Sequence, residues 1–157
     1  MSVLRVQNED IEGVNMGATF RAFEDTGRAH DIAYSSVSRM RRYLLEMLDL
    51  QDMWDAVWEA GIPERDQNGR WNKLLAELDR IIVSDEKMCN VACGVKAFID
   101  HSDCDGCFFG DDCENISEAF SYLLRSSVEM DGIDRTHAVR LQAVFQSVSN
   151  GGVVMIT

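Results

Sequence analysis

Five cysteines stand in the order Cys89, Cys93, Cys104, Cys107 and Cys113, with His101 inside the run. Thiolates are soft ligands, suited to zinc and unsuited to calcium or magnesium. The segment Cys104-Asp-Gly-Cys107 is the most informative part, because two sulfurs three positions apart, with a glycine to let the turn close, can both reach one tetrahedral ion. Cys113 follows a short loop later. Cys93 or Cys89, which would share a face of a preceding helix, supplies a fourth ligand, with His101 as a nitrogen alternative. Four protein ligands leave no open position for water or substrate, so the expected cofactor is a structural zinc ion stapling a loop. The spacing is not that of a paired CxxC ribbon. Other uses of the same residues compete with zinc: an iron-sulfur cluster, free thiols, or a disulfide such as Cys104 with Cys113. His101, Asp103, Asp105, Gly106 and Asp112 also fall at the first, third, fifth, sixth and twelfth places of a calcium-binding EF-hand loop. The fit is poor, since histidine opens the loop, aspartate replaces the closing glutamate, and thiols occupy the fourth and seventh places.

Carboxylates are the second group able to do something specific. Residues 83 to 134 hold twelve Asp and Glu against Lys87, Lys96 and Arg125, a local net charge of -9 in a chain whose total is -12. A second cluster, Glu46, Asp49, Asp52, Asp55 and Glu59, advances by three or four residues along an apparent helix and would wind round its outer surface as a patch. Such surfaces repel phosphates and anionic lipid, which excludes direct nucleic-acid or membrane binding and attracts a partner with a basic surface. The functional expectation is imitation of a row of phosphates, as in the DNA-mimic inhibitors that phages and mobile elements direct against nucleic-acid-handling complexes. Against it stands the ordinary use of a charge run as the solvated face of an amphipathic helix. Trp54 and Trp58, with Met47 and Met53 nearby, offer an aromatic helix face on which an adaptor or assembly chaperone could bind; core packing is the competing use.

Catalytic signatures are missing: there is no GxGxxG, P-loop, HExxH or GxSxG, and His30, His101 and His137 are isolated in sequence. The reading is therefore a binding protein and not an enzyme. From another class, a thiol redox protein using Cys104 and Cys107 stays open, although a CxxC redox motif normally accompanies alternating strands and helices.

The elements that must position these groups are mostly helical. Ala33, Val37, Met40, Leu44, Met47 and Leu48 recur at helical steps, and the pattern runs on through Met53, Trp54, Val57 and Trp58 to a stop at Gly61 and Pro63. The spacing predicts one helix from His30 to there, or two with a break near Leu50. After a turn at Asp66-Gln67-Asn68-Gly69 comes a face of Trp71, Leu74, Leu75, Leu78, Ile81 and Ile82. Ser84 is expected to cap a helix with Met88, Ala92, Val95 and Ile99 inward. Residues 100 to 114 read as a loop, Asn115 and Glu118 as a capping box, and Asp134 as the cap of a last helix stopped by Gly151 and Gly152. Met16, Phe20 and Phe23 also fall at helical spacing. Val153 to Ile156 is expected to pair with Val3 to Val6 in a small two-stranded terminal element.

A chain of 157 residues with one proline and no repeat is expected to be a single compact domain of five or six helices, mainly α, over residues 1 to 157. Its first fifteen residues carry Arg5, Glu9, Asp10 and Glu12 and no apolar run of signal-peptide length, so a cytoplasmic location with reduced thiols is expected. The sequence leaves the oligomeric state open.

Overall fold

The computed structural model of the chain describes residues 17–23, 28–59, 69–101, 106–148 and 152–157. Strand β1 (Gly17–Phe23) pairs antiparallel with β2 (Ala29–Ala33), and the chain enters α1 (Tyr34–Glu46) without a loop. There follow α2 (Gln51–Trp58), α3 (Arg70–Ser84), α4 (Cys89–Ile99), β3 (Gly106–Phe109), α5 (Gly110–Arg125), α6 (Gly132–Gln146) and β4 (Val153–Ile156). The mainly helical single domain expected from periodicity is what forms, with six helices among the described residues. None of them is long and apolar enough to cross a membrane.

The sheet is larger than the sequence announces. Its order is β2-β1-β4-β3, antiparallel throughout. The tail forms its strand as expected, but between β1 and β3, with Phe20 opposite Ile156 and Phe108 opposite Val154. The strand expected at Val3 to Val6 lies outside the described residues, as do Met16, Gly61, Pro63, Asp66 to Asn68 and Gly151. The helical spacing that includes Phe20 is overturned: residues 17 to 23 form a strand whose side chains from Ala18 to Phe20 are buried, as an inner strand covered on both faces requires. The helix expected from His30 begins four residues later, because His30 and Ile32 alternate inward as strand residues.

Three further boundaries move. Residues 106 to 114 are not loop: Phe108 is 2% exposed in β3, and α5 opens at Gly110 with Asp111 and Asp112 in its first turn, where carboxylates favour the helix dipole. Asn115 and Glu118 therefore sit inside the helix and form no capping box. Ser84 ends α3 and donates its hydroxyl to the Arg80 carbonyl at 2.6 Å instead of opening α4; Asp85 accepts the backbone N–H groups of Lys87 and Met88 at 3.1 and 3.3 Å. The cap of α6 is Asp131, which accepts the Asp134 N–H at 2.8 Å.

The core is centred on phenylalanines. Phe98 of α4 meets Phe120 of α5 edge-on at 5.2 Å, and Phe108 of β3 meets Phe145 of α6 edge-on at 5.1 Å. Phe20 of β1 lies about equally close to Phe98, Phe108 and Phe145, so one cluster joins the sheet to three helices. Edge-on aromatic pairs add about 0.5–1.5 kcal/mol each beyond their buried area. Helices α4 and α5 touch at backbone distance: a Cβ at Gly94 would sit 2.0 Å from the Asn115 carbonyl oxygen.

Candidate functional site

The cysteines part company in three dimensions. Cys89 and Cys93 lie one turn apart on α4; burial, with the neighbouring Cys89 thiol's help, raises the Cys93 thiol above its ordinary value. Cys93 lines a groove of about 550 Å³ with Lys96, Asp100, His101, Asp112 and Asp79, and Lys96 and Asp79 are ion-paired at 2.7 Å. Cys113 is instead a core residue on α5, fully buried, its thiol donating to the Phe108 carbonyl at 3.3 Å, and burial pushes it up to about 11. A thiol held so firmly protonated is a poor nucleophile. His101 stacks on Phe108 with ring centroids 3.9 Å apart, and its Nε2 hydrogen-bonds the Cys107 carbonyl at 2.9 Å. Cys89, Cys93, Cys107 and Cys113 are free thiols, and no three metal-ligating side chains gather among the described residues. Cys104, Asp103 and Asp105 lie outside them.

The carboxylates expected along one helix are divided by a turn. At Met47 to Leu50 the Leu50 N–H returns to the Leu45 carbonyl at 2.8 Å and the Asp49 N–H to the Glu46 carbonyl at 3.0 Å. This pair of bonds is the Schellman stop, with Asp49 at φ 65° in the left-handed place usually taken by glycine. Asp55 is gripped by Arg42 through two bonds of 2.9 Å, and the same guanidinium lies 3.4 Å from Glu46. Those bonds outweigh desolvation and hold the Asp55 carboxyl below its usual range. Glu59 stands 4.0 Å from Arg70. Asp49 and Asp52 are exposed and make no ion pair among the described residues. Trp54 belongs to the core, packed on Trp71, whereas Trp58 rests on Trp54 at 5.6 Å with 47% of its surface exposed.

Helix α5 presents a cleaner row. Asp111, Glu114 and Glu118 occupy the i, i+3 and i+7 places of one face, all exposed, with no ion pair among the described residues. They span roughly 10 Å along the axis at 1.5 Å per residue, a rise of about 5 Å per charge. Several of the chain's arginines are engaged away from this row. Arg39 and Arg42 hold Asp134 and Asp55, Arg41 is 6% exposed and donates to the Phe98 and His101 carbonyls, and Arg80 holds Glu77.

A buried polar network at the β2–α6 seam went unread in the sequence. His30 Nε2 and His137 Nδ1 are 2.8 Å apart, so one nitrogen donates and the other accepts. Burial, with repulsion from His137 and Arg140, pushes His30 down to about 4, and burial likewise lowers His137. Next to them Asp134, 1% exposed, accepts from Arg39 at 3.1 Å and from the Tyr43 hydroxyl at 2.7 Å. Desolvation works against its charge, but these bonds prevail and keep the carboxyl below its ordinary range. Little in the sequence signals this set, since 107 positions divide the two histidines. No family model, curated protein or solved structure matches the chain.

Proposed function

We propose that the protein is a small acidic protein-binding protein that inhibits a nucleic-acid-handling complex of the kind phages and mobile elements target. The observation that carries the reading is the exposed row Asp111, Glu114 and Glu118 on α5, continuous with Asp112 and unneutralised among the described residues. One charge per roughly 5 Å of axis approaches the one charge per about 3.4 Å of a single DNA strand, so a groove shaped for phosphates would meet a similar linear charge. The buried inner face of α5, with Ile116, Phe120 and Leu123 fully enclosed, supports the reading, since charges held on a packed helix lose little freedom on docking.

The test is affinity capture from extracts of cells in which the protein is expressed, followed by elution with duplex DNA. The expected outcome is a basic partner released by the DNA and no longer captured by the triple variant Asp111→Asn, Glu114→Gln, Glu118→Gln. Capture that withstands excess DNA and is indifferent to the three substitutions sinks the reading. Trp58 favours a second reading, an adaptor with an aromatic contact; a partner that resists DNA and is lost on Trp58→Ala would establish that one instead.

A further inference from the structure

Three helix C-termini meet in one groove. Helices α1, α3 and α5 end at Glu46, Ser84 and Arg125, and a groove of about 570 Å³ is lined by residues at or just beyond all three ends, together with Met88 at the start of α4. Its floor is apolar and only partly buried, formed by Met47, Leu48, Met88, Tyr122 and Val128. Its rim carries Glu46, Asp49 and Asp85, and no Lys or Arg lines it.

A helix C-terminus bears a partial negative charge that basic residues ordinarily offset. Here the last turns of α1 and α3 hold no basic residue, and Arg125 in the last turn of α5 donates to Ser121 at 2.7 Å. Carboxylates stand at those ends instead, Asp85 as the C-cap of α3 and Asp49 just past α1. Asp85 spends part of its charge on the N–H groups opening α4. Asp49 takes a left-handed conformation that suits glycine better, so local stability does not explain the aspartate there. Concentrated negative potential over a methionine-lined floor is complementary to a segment that is basic on its flanks and apolar along one face. Flexible, polarizable methionine adapts to such faces.

We propose that this groove is the docking site for a basic amphipathic helix of a partner protein. Its apolar side chains rest on Met47, Met88 and Tyr122, and its Lys or Arg side chains reach Glu46, Asp49 and Asp85. The inference rests on the reading of the chain as a protein-binding protein, and it does not use the α5 row.

The probe is a synthetic Lys/Leu peptide about five turns long, arranged to be amphipathic as a helix, and a scrambled peptide of identical composition. Binding to the full chain is followed by fluorescence anisotropy and by methionine methyl resonances. The amphipathic peptide is expected to bind at least about tenfold more tightly than the scrambled one and to shift the Met47 and Met88 methyls first. Asp49→Asn with Asp85→Asn should weaken it about tenfold, while the triple α5 variant binds as wild type. Equal binding of the two peptides, shifts centred elsewhere, or equal loss in the α5 variant overturns the proposal. Concentration-dependent shifts of Met47 and Met88 without peptide also overturn it, since the occupant is then a second copy of the chain. Because the peptide assay needs no DNA-displaceable partner, failure of the phosphate-mimic reading leaves this result standing, and the reverse holds too.

Discussion

At the residue scale, Asp49 shows how a single backbone angle reassigns a side chain. Helical periodicity carried the carboxylates from Glu46 to Glu59 along one face, and the stop that makes the break near Leu50 is hard to see, because the residue at φ 65° is not a glycine. An L-residue in that region costs about 1–2 kcal/mol, less for aspartate, and a carboxylate at a helix C-terminus adds about 0.3–1 kcal/mol. Glycine would remove both penalties while losing about 0.5–1 kcal/mol to its freer unfolded chain. Asp49→Gly is therefore expected to stabilise the protein by about 0.5–1 kcal/mol, a rise of roughly 2 °C in a melting curve. The same variant should bind the amphipathic peptide less tightly. A melting point that falls would mean the Asp49 side chain supports the turn. The cysteines carry a related lesson. Their spacing was legible as a ligand set, yet Cys113 points into the core to donate to the Phe108 carbonyl, which no count of intervening residues reveals.

At the element scale, what was legible is what periodicity encodes. The apolar faces of α1, α3, α4 and α6 were read from steps of three and four, and the break near Leu50 stood among the alternatives. The strands were harder. β1 is built largely of small residues buried on both sides, so it shows no alternation, and β3 is four residues wedged between the acidic stretch and α5. The contact of α4 with α5 was invisible as well, because a glycine inside a helix announces no neighbour. Its physical requirement is severe: a methyl at Gly94 would lie 2.0 Å from the Asn115 carbonyl oxygen and 2.9 Å from the Ile116 nitrogen, both backbone atoms with little freedom to yield. The two helices would have to separate, disturbing the Phe98–Phe120 pair beneath them. Gly94→Ala is expected to cost about 3 kcal/mol, or roughly 10 °C of melting temperature. Melting within a couple of degrees of wild type would mean that α4 and α5 do not pack at this distance.

For the whole molecule, charge was the most legible property and the hidden histidine pair the least, and the two make opposite demands on pH. The net charge of -12 favours mild acidification, which relieves self-repulsion as carboxylates begin to protonate. The seam between sheet and helices opposes it. His30 is held down to about 4 by burial and by repulsion from His137 and Arg140, against an unfolded value of 6.5, while Asp31 pulls weakly the other way. A histidine whose folded value is depressed binds its proton more readily in the unfolded chain, so stability is full above about 6.5 and is lost as pH falls towards about 4. At 1.36 kcal/mol per pH unit the loss attributable to His30 is roughly 2 kcal/mol by pH 5, and His137, also lowered, adds to it in the same direction. The depressed carboxyls of Asp55 and Asp134 keep their stabilisation until pH falls through the ordinary carboxyl value of 3.8, so between pH 7 and 5 these two pairs hold while the buried imidazoles titrate. Urea unfolding at pH 7 and pH 5 should therefore show a lower midpoint at pH 5, with most of the difference removed in His30→Gln, whose amide can still bond His137. If the midpoint holds steady, or if His30→Gln keeps the full slope, then the pair is not buried as a neutral unit and acid stability is set by the surface carboxylates instead.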